Sequence, residues 1–332
     1  MATIQDVAKH AHVGVGTVSR VLSGNGYVKQ ETRDRIQQAI DELDYTPNQM
    51  ARNLFFSRSQ IVAVIVPEVG HPFFAQFVSA VEAALCEKGY QTMICNTYYE
   101  KNYELRYLDL LKQKRVDGII FGAHTTQDIS RYKDIKRPIV ALDRDLGEDI
   151  PCVMADHELG GRMAAEALIR SGCQNVLQIG STETTDKVVT PSHIRYKVFA
   201  EVMEAHHIPC RTLEGKWPTA DAAFYQKEAK DLLLRFPDID GFFATDMMVV
   251  AMLCAALAQG KRVPKELKLV AYDGTYYIGA AYPQITAVVQ PIAQLAEKAV
   301  QLVVGQIEGD PAGEKSVRLP VSLCLGDTTA RE

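Results

Sequence analysis

The chain has 332 residues, 47% hydrophobic and 23% charged, with a net charge of −5. That length exceeds one average domain and supplies a sizeable core, as in an ordinary soluble globular protein. The acidic balance argues against a surface coated for nucleic acid, although residues 1–60 carry +1 while the remainder carries −6.

The first element is the stretch 3–22. Ile4, Val7, Ala8 and Ala11 fall at i, i+3, i+4 and i+7, one apolar face of a helix, and Thr3 with Asp6 forms a capping-box-like start. Val13-Gly14 supplies a turn. Val18, Val21 and Leu22 make a second apolar face and leave Val15, Gly16, Thr17, Ser19 and Arg20 turned outward. Two helices so spaced form a helix-turn-helix whose second helix can lie in a DNA major groove, although an ordinary helical hairpin has the same spacing. A third helix follows over 30–43, with Ile36, Ala39, Ile40 and Leu43 on one face. Thr46, Pro47 and Gln49 then start a helix of only eight residues or so, below the ~12–15 needed for independent stability. It needs a partner.

From Ile61 the pattern becomes strand–helix alternation. Strands are expected at 61–66, 91–96, 118–121, 138–142, 175–179, 241–243, 267–271, 285–289 and near 316–319. Helices are expected at 73–88, 103–114, 158–170, 192–205, 220–235, 247–259 and 292–307. Unbroken apolar strands between helices mean parallel sheets covered on both faces. About 270 residues of such units exceed one sheet and predict two α/β lobes with a cleft, where ligands sit beyond the carboxyl ends of the strands.

The residues after these strand ends carry the chemistry. They are His71-Pro72-Phe73-Phe74, Asp143-Arg144, Arg195 in the first turn of a helix, Trp217, Thr245-Asp246 and Tyr272-Asp273-Gly274. Aromatic faces that stack on C–H surfaces, with Asp and Arg bonding hydroxyls, make up the chemistry of sugar binding. Singly, each Asp could cap the following helix and each aromatic fill core. Enzyme signatures are missing: Gly14-Val15-Gly16 does not follow a strand, and there is no P-loop, no G-x-S-x-G and no H-E-x-x-H. No cofactor is expected. The eight histidines lack metal spacing, and the seven cysteines include no C-x-x-C pair, so no metal site or disulfide framework is expected. Buried thiols in a reducing cytoplasm fit better. There is no apolar signal core and no run near the ~20 residues of a membrane span, so no membrane partner is expected.

T-x-x-D-V-A at 3–8, T-V-S-R-V-L at 17–22, Y-x-P-N-x-x-A-R-x-L at 45–54 and the two-lobed remainder resemble the LacI/GalR family of bacterial transcription repressors across essentially the whole chain. The resemblance implies a small all-α head over 1–45 and a hinge helix and linker over 46–59. A periplasmic-binding-protein-like effector domain follows, its lobes at 60–158 with 290–320 and at 159–289, before a tail over 321–332. It also implies a homodimer on pseudo-palindromic double-stranded operator DNA, controlled by a small sugar or sugar phosphate. In the family, Thr17, Ser19 and Arg20 match contacts to phosphates and bases, while Val15 and Gly16 stand at the positions that choose the operator. Asn48, Ala51 and Leu54 match the hinge helix, whose paired leucines wedge into the minor groove; Thr3, Asn25 and Tyr45 complete the DNA-facing set. Phe73, Phe74, Asp143, Arg195, Trp217, Thr245 and Asp273 match effector contacts. The segments at 190–196 and 271–275 look most like sucrose-operon repressors, which favours a sucrose or fructose type of effector. A catabolite-control regulator with a phosphoprotein corepressor is the alternative, although Gln301 stands where that protein's docking helix has arginine. A sugar-binding transport receptor or sugar-modifying enzyme is disfavoured by the head and by the lack of catalytic pairing.

Overall fold

The computed structural model describes residues 2–23, 26–46, 58–98, 100–122, 137–180, 191–215, 221–310 and 316–329. The chain divides into two units, Met1–Ser59 and Gln60–Glu332.

The first unit holds helices α1 (Ile4–His10), α2 (Val15–Ser23) and α3 (Gln30–Glu42). The capping box forms: Thr3 Oγ1 accepts from the Asp6 amide at 3.3 Å, and the Asp6 carboxylate accepts from the Thr3 amide at 2.9 Å. Val7, Ala8, Ala11, Val18, Ile36, Ala39 and Tyr45 bury one another in a small core. A hydrogen bond of 2.6 Å between His10 and Glu42 ties the end of α1 to the end of α3. The hinge helix expected after Thr46 lies outside the described residues.

The second unit is built from two six-stranded sheets. The chain runs β1 (Ile61–Val66), α4 (Pro72–Glu87), β2 (Gln91–Asn96), α5 (Lys101–Lys112), β3 (Gly118–Phe121), β4 (Ile139–Leu142) and β5 (Cys152–Ala155). It continues as α6 (His157–Arg170), β6 (Val176–Ile179), α7 (His193–Ala205), β7 (Cys210–Leu213), α8 (Ala222–Arg235), β8 (Gly241–Thr245) and α9 (Asp246–Ala258). The series ends with β9 (Lys268–Asp273), α10 (Tyr276–Gly279), β10 (Thr286–Val289), α11 (Ile292–Glu308), β11 (Ser316–Leu319) and β12 (Ser322–Cys324). The first sheet has the order β11-β5-β4-β3-β1-β2 and is parallel throughout. The second has the order β12-β10-β9-β8-β6-β7, parallel except for β12.

Helix α6 packs on β9 and β10, whereas α11 returns to lie on β3, β4 and β5. The chain therefore passes between lobes around residues 156, 290 and 320. Here β12 corrects the expected tail over 321–332. Ser322–Cys324 pairs antiparallel with β10, and Thr328 Oγ1 donates to the Leu269 carbonyl at 2.7 Å. The segment closes the edge of the second sheet. Like β5 and β7, β12 was not among the strands expected from the sequence.

The apolar runs explain the layering. Val62, Val64, Phe77, Leu85 and Val300 on the first sheet and its helices join one core with Ala164, Phe199, Phe243 and Tyr272 around the second. At the joint, α6 must approach closely. A Cβ on Gly160 would meet the Tyr272 ring, and one on Gly161 would meet the Arg195 carbonyl of α7. Gly161→Ala is expected to destabilise the second unit by about 1–3 kcal/mol through overpacking against backbone. Denaturant unfolding checks this; a midpoint equal to that of the unaltered chain would contradict the close approach.

Candidate functional site

On the head, Val15, Gly16 and Arg20 are exposed and Thr17 and Ser19 half-buried on α2, opposite buried Val18. A Cβ on Gly16 would meet nothing, so no internal packing demands glycine there. Thr3 is exposed, with its hydroxyl donating to Asp6 at 2.7 Å. Tyr45, expected to face DNA, packs within the head core at 9% exposure. Asn25, Asn48, Ala51, Leu54 and Trp217 lie outside the described residues.

In the second unit a buried polar chain assembles at the carboxyl ends of both sheets, where an open α/β sheet binds ligands. Asp143 follows β4 with φ of 47°, and Asp273 ends β9 with φ of 114°. Non-glycine residues held in such backbone conformations cluster at binding sites. His157 bridges the lobes: its Nε2 lies 3.0 Å from the Asp143 carboxylate and its Nδ1 3.1 Å from the Tyr272 hydroxyl. A carboxylate only accepts, so Nε2 carries a proton toward Asp143. Burial pushes the Tyr272 phenol well above its ordinary pKa, which keeps it a donor.

Arg195, at the start of α7, stands 3.5 Å from the Asp273 carboxylate with its guanidinium 4.2 Å from the Tyr272 ring centre. Burial works against its charge, but Tyr196, Asp273 and Tyr272 outweigh it and hold the guanidinium firmly protonated. Gln290 donates to the same Asp273 oxygen at 2.8 Å. Burial raises the Asp273 carboxyl, and Arg195 and His71 offset part of that rise. Next to it, the Asp246 carboxylate accepts from the amide and the hydroxyl of Thr275, each at 2.6 Å, and from the Gly274 amide at 3.2 Å. These bonds fix the turn after Asp273. Gly274 itself has φ of 67°, and a Cβ there would strike Val289. Thr245 ends β8 at the N-cap of α9 with no side-chain capping bond.

Thus Asp143, Arg195 and Asp273 are brought together, and Thr245 ends the strand beside β9. Phe73 and Phe74 are buried in the core, Phe73 edge-on to Phe74 at 5.2 Å and stacked on Phe77 at 6.5 Å. His157 and Gln290 join the network without having been singled out in the sequence, and Tyr272 and Asp246, noted there at their strand ends, join it as well. Each follows or ends an apolar strand, a usable signal. For His157 that strand is β5, which was not among those expected from the sequence.

A helix-turn-helix head followed by a two-lobed α/β domain with a buried interlobe polar site defines a DNA-binding regulator. Residues 3–48 match the family model of bacterial regulatory proteins, lacI family, and residues 165–329 match the periplasmic binding protein-like domain. The ribose operon repressor of Halalkalibacterium halodurans is 38% identical over 99% of this chain and 97% of its own length. The sucrose operon repressor of Streptococcus mutans is 33% identical over 99% of both chains. Among solved structures, a transcriptional regulator CelR–cellobiose complex has a TM-score of 0.71 at 29% identity, over 99% of this chain and 100% of the other. The lac repressor dimer bound to operator and an anti-inducer shares the fold, with a TM-score of 0.84 at 23% identity over 99% of both chains. The chain belongs to the lacI family of bacterial regulatory proteins, whose members are transcriptional repressors and not enzymes. Among the described residues no helix is long and apolar enough to cross a membrane.

The carboxyl pair generates a pH dependence. Burial first, and then the charge of Asp273, push the Asp246 carboxyl up to about 7. An unfolded aspartate titrates near ~4. Between those values the folded chain keeps a proton that the unfolded chain has lost, so the stability linked to this group is full at acid pH and declines as pH rises from about 4 to 7. Asp246→Asn, which cannot ionise, is expected to flatten that decline in the thermal midpoint. An unchanged slope would contradict the assignment.

Proposed function

We propose that the chain is a dimeric repressor that reads a pseudo-palindromic operator through α2 and a hinge helix over 47–54, and that a small free sugar in the interlobe site sets its operator affinity. The observation that carries the reading is the convergence of Asp143, Arg195 and Asp273 at the carboxyl ends of both sheets, in a chain whose head is a DNA-reading module. Carboxylates accept from sugar hydroxyls and the guanidinium donates to them, both as charge-assisted bonds. Asp143 and Asp273 flank the site, and its arginine, Arg195, is already engaged with Asp273. That balance opposes a phosphorylated sugar, so the effector is a neutral one. Relatives named as ribose operon repressors (38% and 33% identical) and as sucrose operon repressors (33%) make D-ribose, sucrose and D-fructose the sugars to test.

On the head, Arg20 is the base reader. Val15 and Gly16 offer no side-chain hydrogen bond and read by apolar contact alone. Leu54 is the minor-groove wedge. Effector in the cleft changes the relation between the lobes and so biases the hinge helices, a coupling between two sites. The test is operator titration at fixed salt with and without D-ribose, then D-fructose and sucrose. One of these sugars is expected to shift operator affinity by about 5- to 150-fold, the usual range of such coupling. Affinity unchanged by all three would overturn the sugar-effector reading.

A further inference from the structure

Between parallel strands the crossover helix runs back over the sheet, from the carboxyl ends of the strands to their amino ends. On the first sheet the carboxyl ends carry the interlobe site, and the amino end of β1 is where the chain arrives from the linker. Helix α5 joins those two edges. Its 12 residues span about 18 Å. Leu108 and Leu111 seat it in a core with Ile65, Ile119 and Phe121, and close packing keeps its two ends in a fixed relation.

Each end is gripped by a carboxylate. At the start, Glu104 is fully buried and accepts from Arg144 at 3.2 Å. Arg144 is buried as well, with its guanidinium 5.0 Å from the centre of the Phe121 ring. It directly follows Asp143, which has φ of 47° and bonds His157 of the second lobe. A buried ion pair is weak evidence for stability, since apolar residues of similar volume often serve as well. What this pair supplies is position: it ties the turn that carries Asp143 to the first turn of α5. Beyond the other end, Asp117 stands between α5 and β3. Its carboxylate accepts from the Gln60 amide at 2.7 Å, and its own amide donates to the Ile61 carbonyl at 2.8 Å. Gln60 directly precedes β1 and has φ of 56°, a left-handed conformation that a non-glycine residue keeps only where its surroundings impose it. Asp117 therefore sets the direction in which the linker meets the first lobe.

Building on the reading that a sugar in the interlobe site sets operator affinity, we propose that α5 is the lever of that regulation. The Glu104–Arg144 pair ties its start to the Asp143 turn, and Asp117 beyond its end carries the displacement to Gln60 and the linker. Glu104 and Asp117 are positioning residues that touch neither sugar nor operator. A route through one helix makes a specific demand: the two grips act in series, so breaking both loses no more coupling than breaking one. Two supports about 18 Å apart that act independently would add their effects.

The test measures the factor by which D-ribose, D-fructose or sucrose shifts operator affinity at fixed salt, with sugar affinity from calorimetry on the same preparations. It compares the unaltered full chain with Glu104→Gln, Asp117→Ala and their combination. A parallel series uses Glu104→Leu together with Arg144→Met, an apolar pair that leaves no buried charge and keeps the test open if the glutamine variant does not fold. Each grip broken alone is expected to cut the factor by about threefold or more. Asp117→Ala is expected to leave sugar affinity within about twofold, a separation that a merely structural role would not produce. The combination is expected to match the larger single loss. An unchanged factor in the variants, losses that multiply in the combination, or lost sugar affinity in Asp117→Ala would overturn the lever and leave the sugar reading standing. If none of the three sugars shifts operator affinity of the unaltered chain, both fall.

Discussion

A carboxyl group in a protein interior needs polar partners around it, and Asp273 is such a group. It is 4% exposed, faces Arg195 at 3.5 Å, accepts from Gln290 at 2.8 Å and adjoins a second buried carboxyl, Asp246. Removing one partner of a buried ion pair leaves an uncompensated charge, a loss of about 3–5 kcal/mol. The surrounding architecture supplies these partners from separate elements. Arg195 comes from the start of α7, Gln290 from the crossover after β10, and Asp246 with Thr275 and Gly274 fixes the turn that follows. The strand ends do not merely line a cleft. They hold one another through a charge that belongs to none of them alone.

The two lobes are joined by the same logic. His157 begins the first helix of the second lobe and bonds backward to Asp143 of the first and across to Tyr272. Tyr272 in turn lies under Arg195 and against the bare face of Gly160. Two glycines in succession let α6 sit close enough for these bonds. The strained backbone at Asp143 and Asp273 aims the two carboxylates inward. Strain, close packing and buried charge thus sit at one place, the joint, and that is where a ligand with small differential contacts can bias two arrangements.

Much of this was legible in the sequence for physical reasons. A parallel strand buried on both faces reads as an unbroken apolar run, so β1 and β3 were bounded residue for residue. A polar side chain that ends such a run has few roles other than the site, which made Asp143 and Asp273 visible. β5, β7 and β12 were not read as strands, and His157 escaped with β5. Gln290, a neutral amide at a crossover, looked like loop. Tyr45 shows a different failure: a motif names a residue without saying which way its ring points, and here it turned into the head core.

The central claim is that ligand completes a polar joint between the lobes. Amide hydrogen exchange measures this most directly, since local opening reports local stability. With D-ribose, or whichever sugar calorimetry selects, the account predicts slowed exchange concentrated at the three crossovers around residues 156, 290 and 320 and at the turns after β4 and β9. Uniform slowing over both lobes, or protection confined to one lobe, would contradict it.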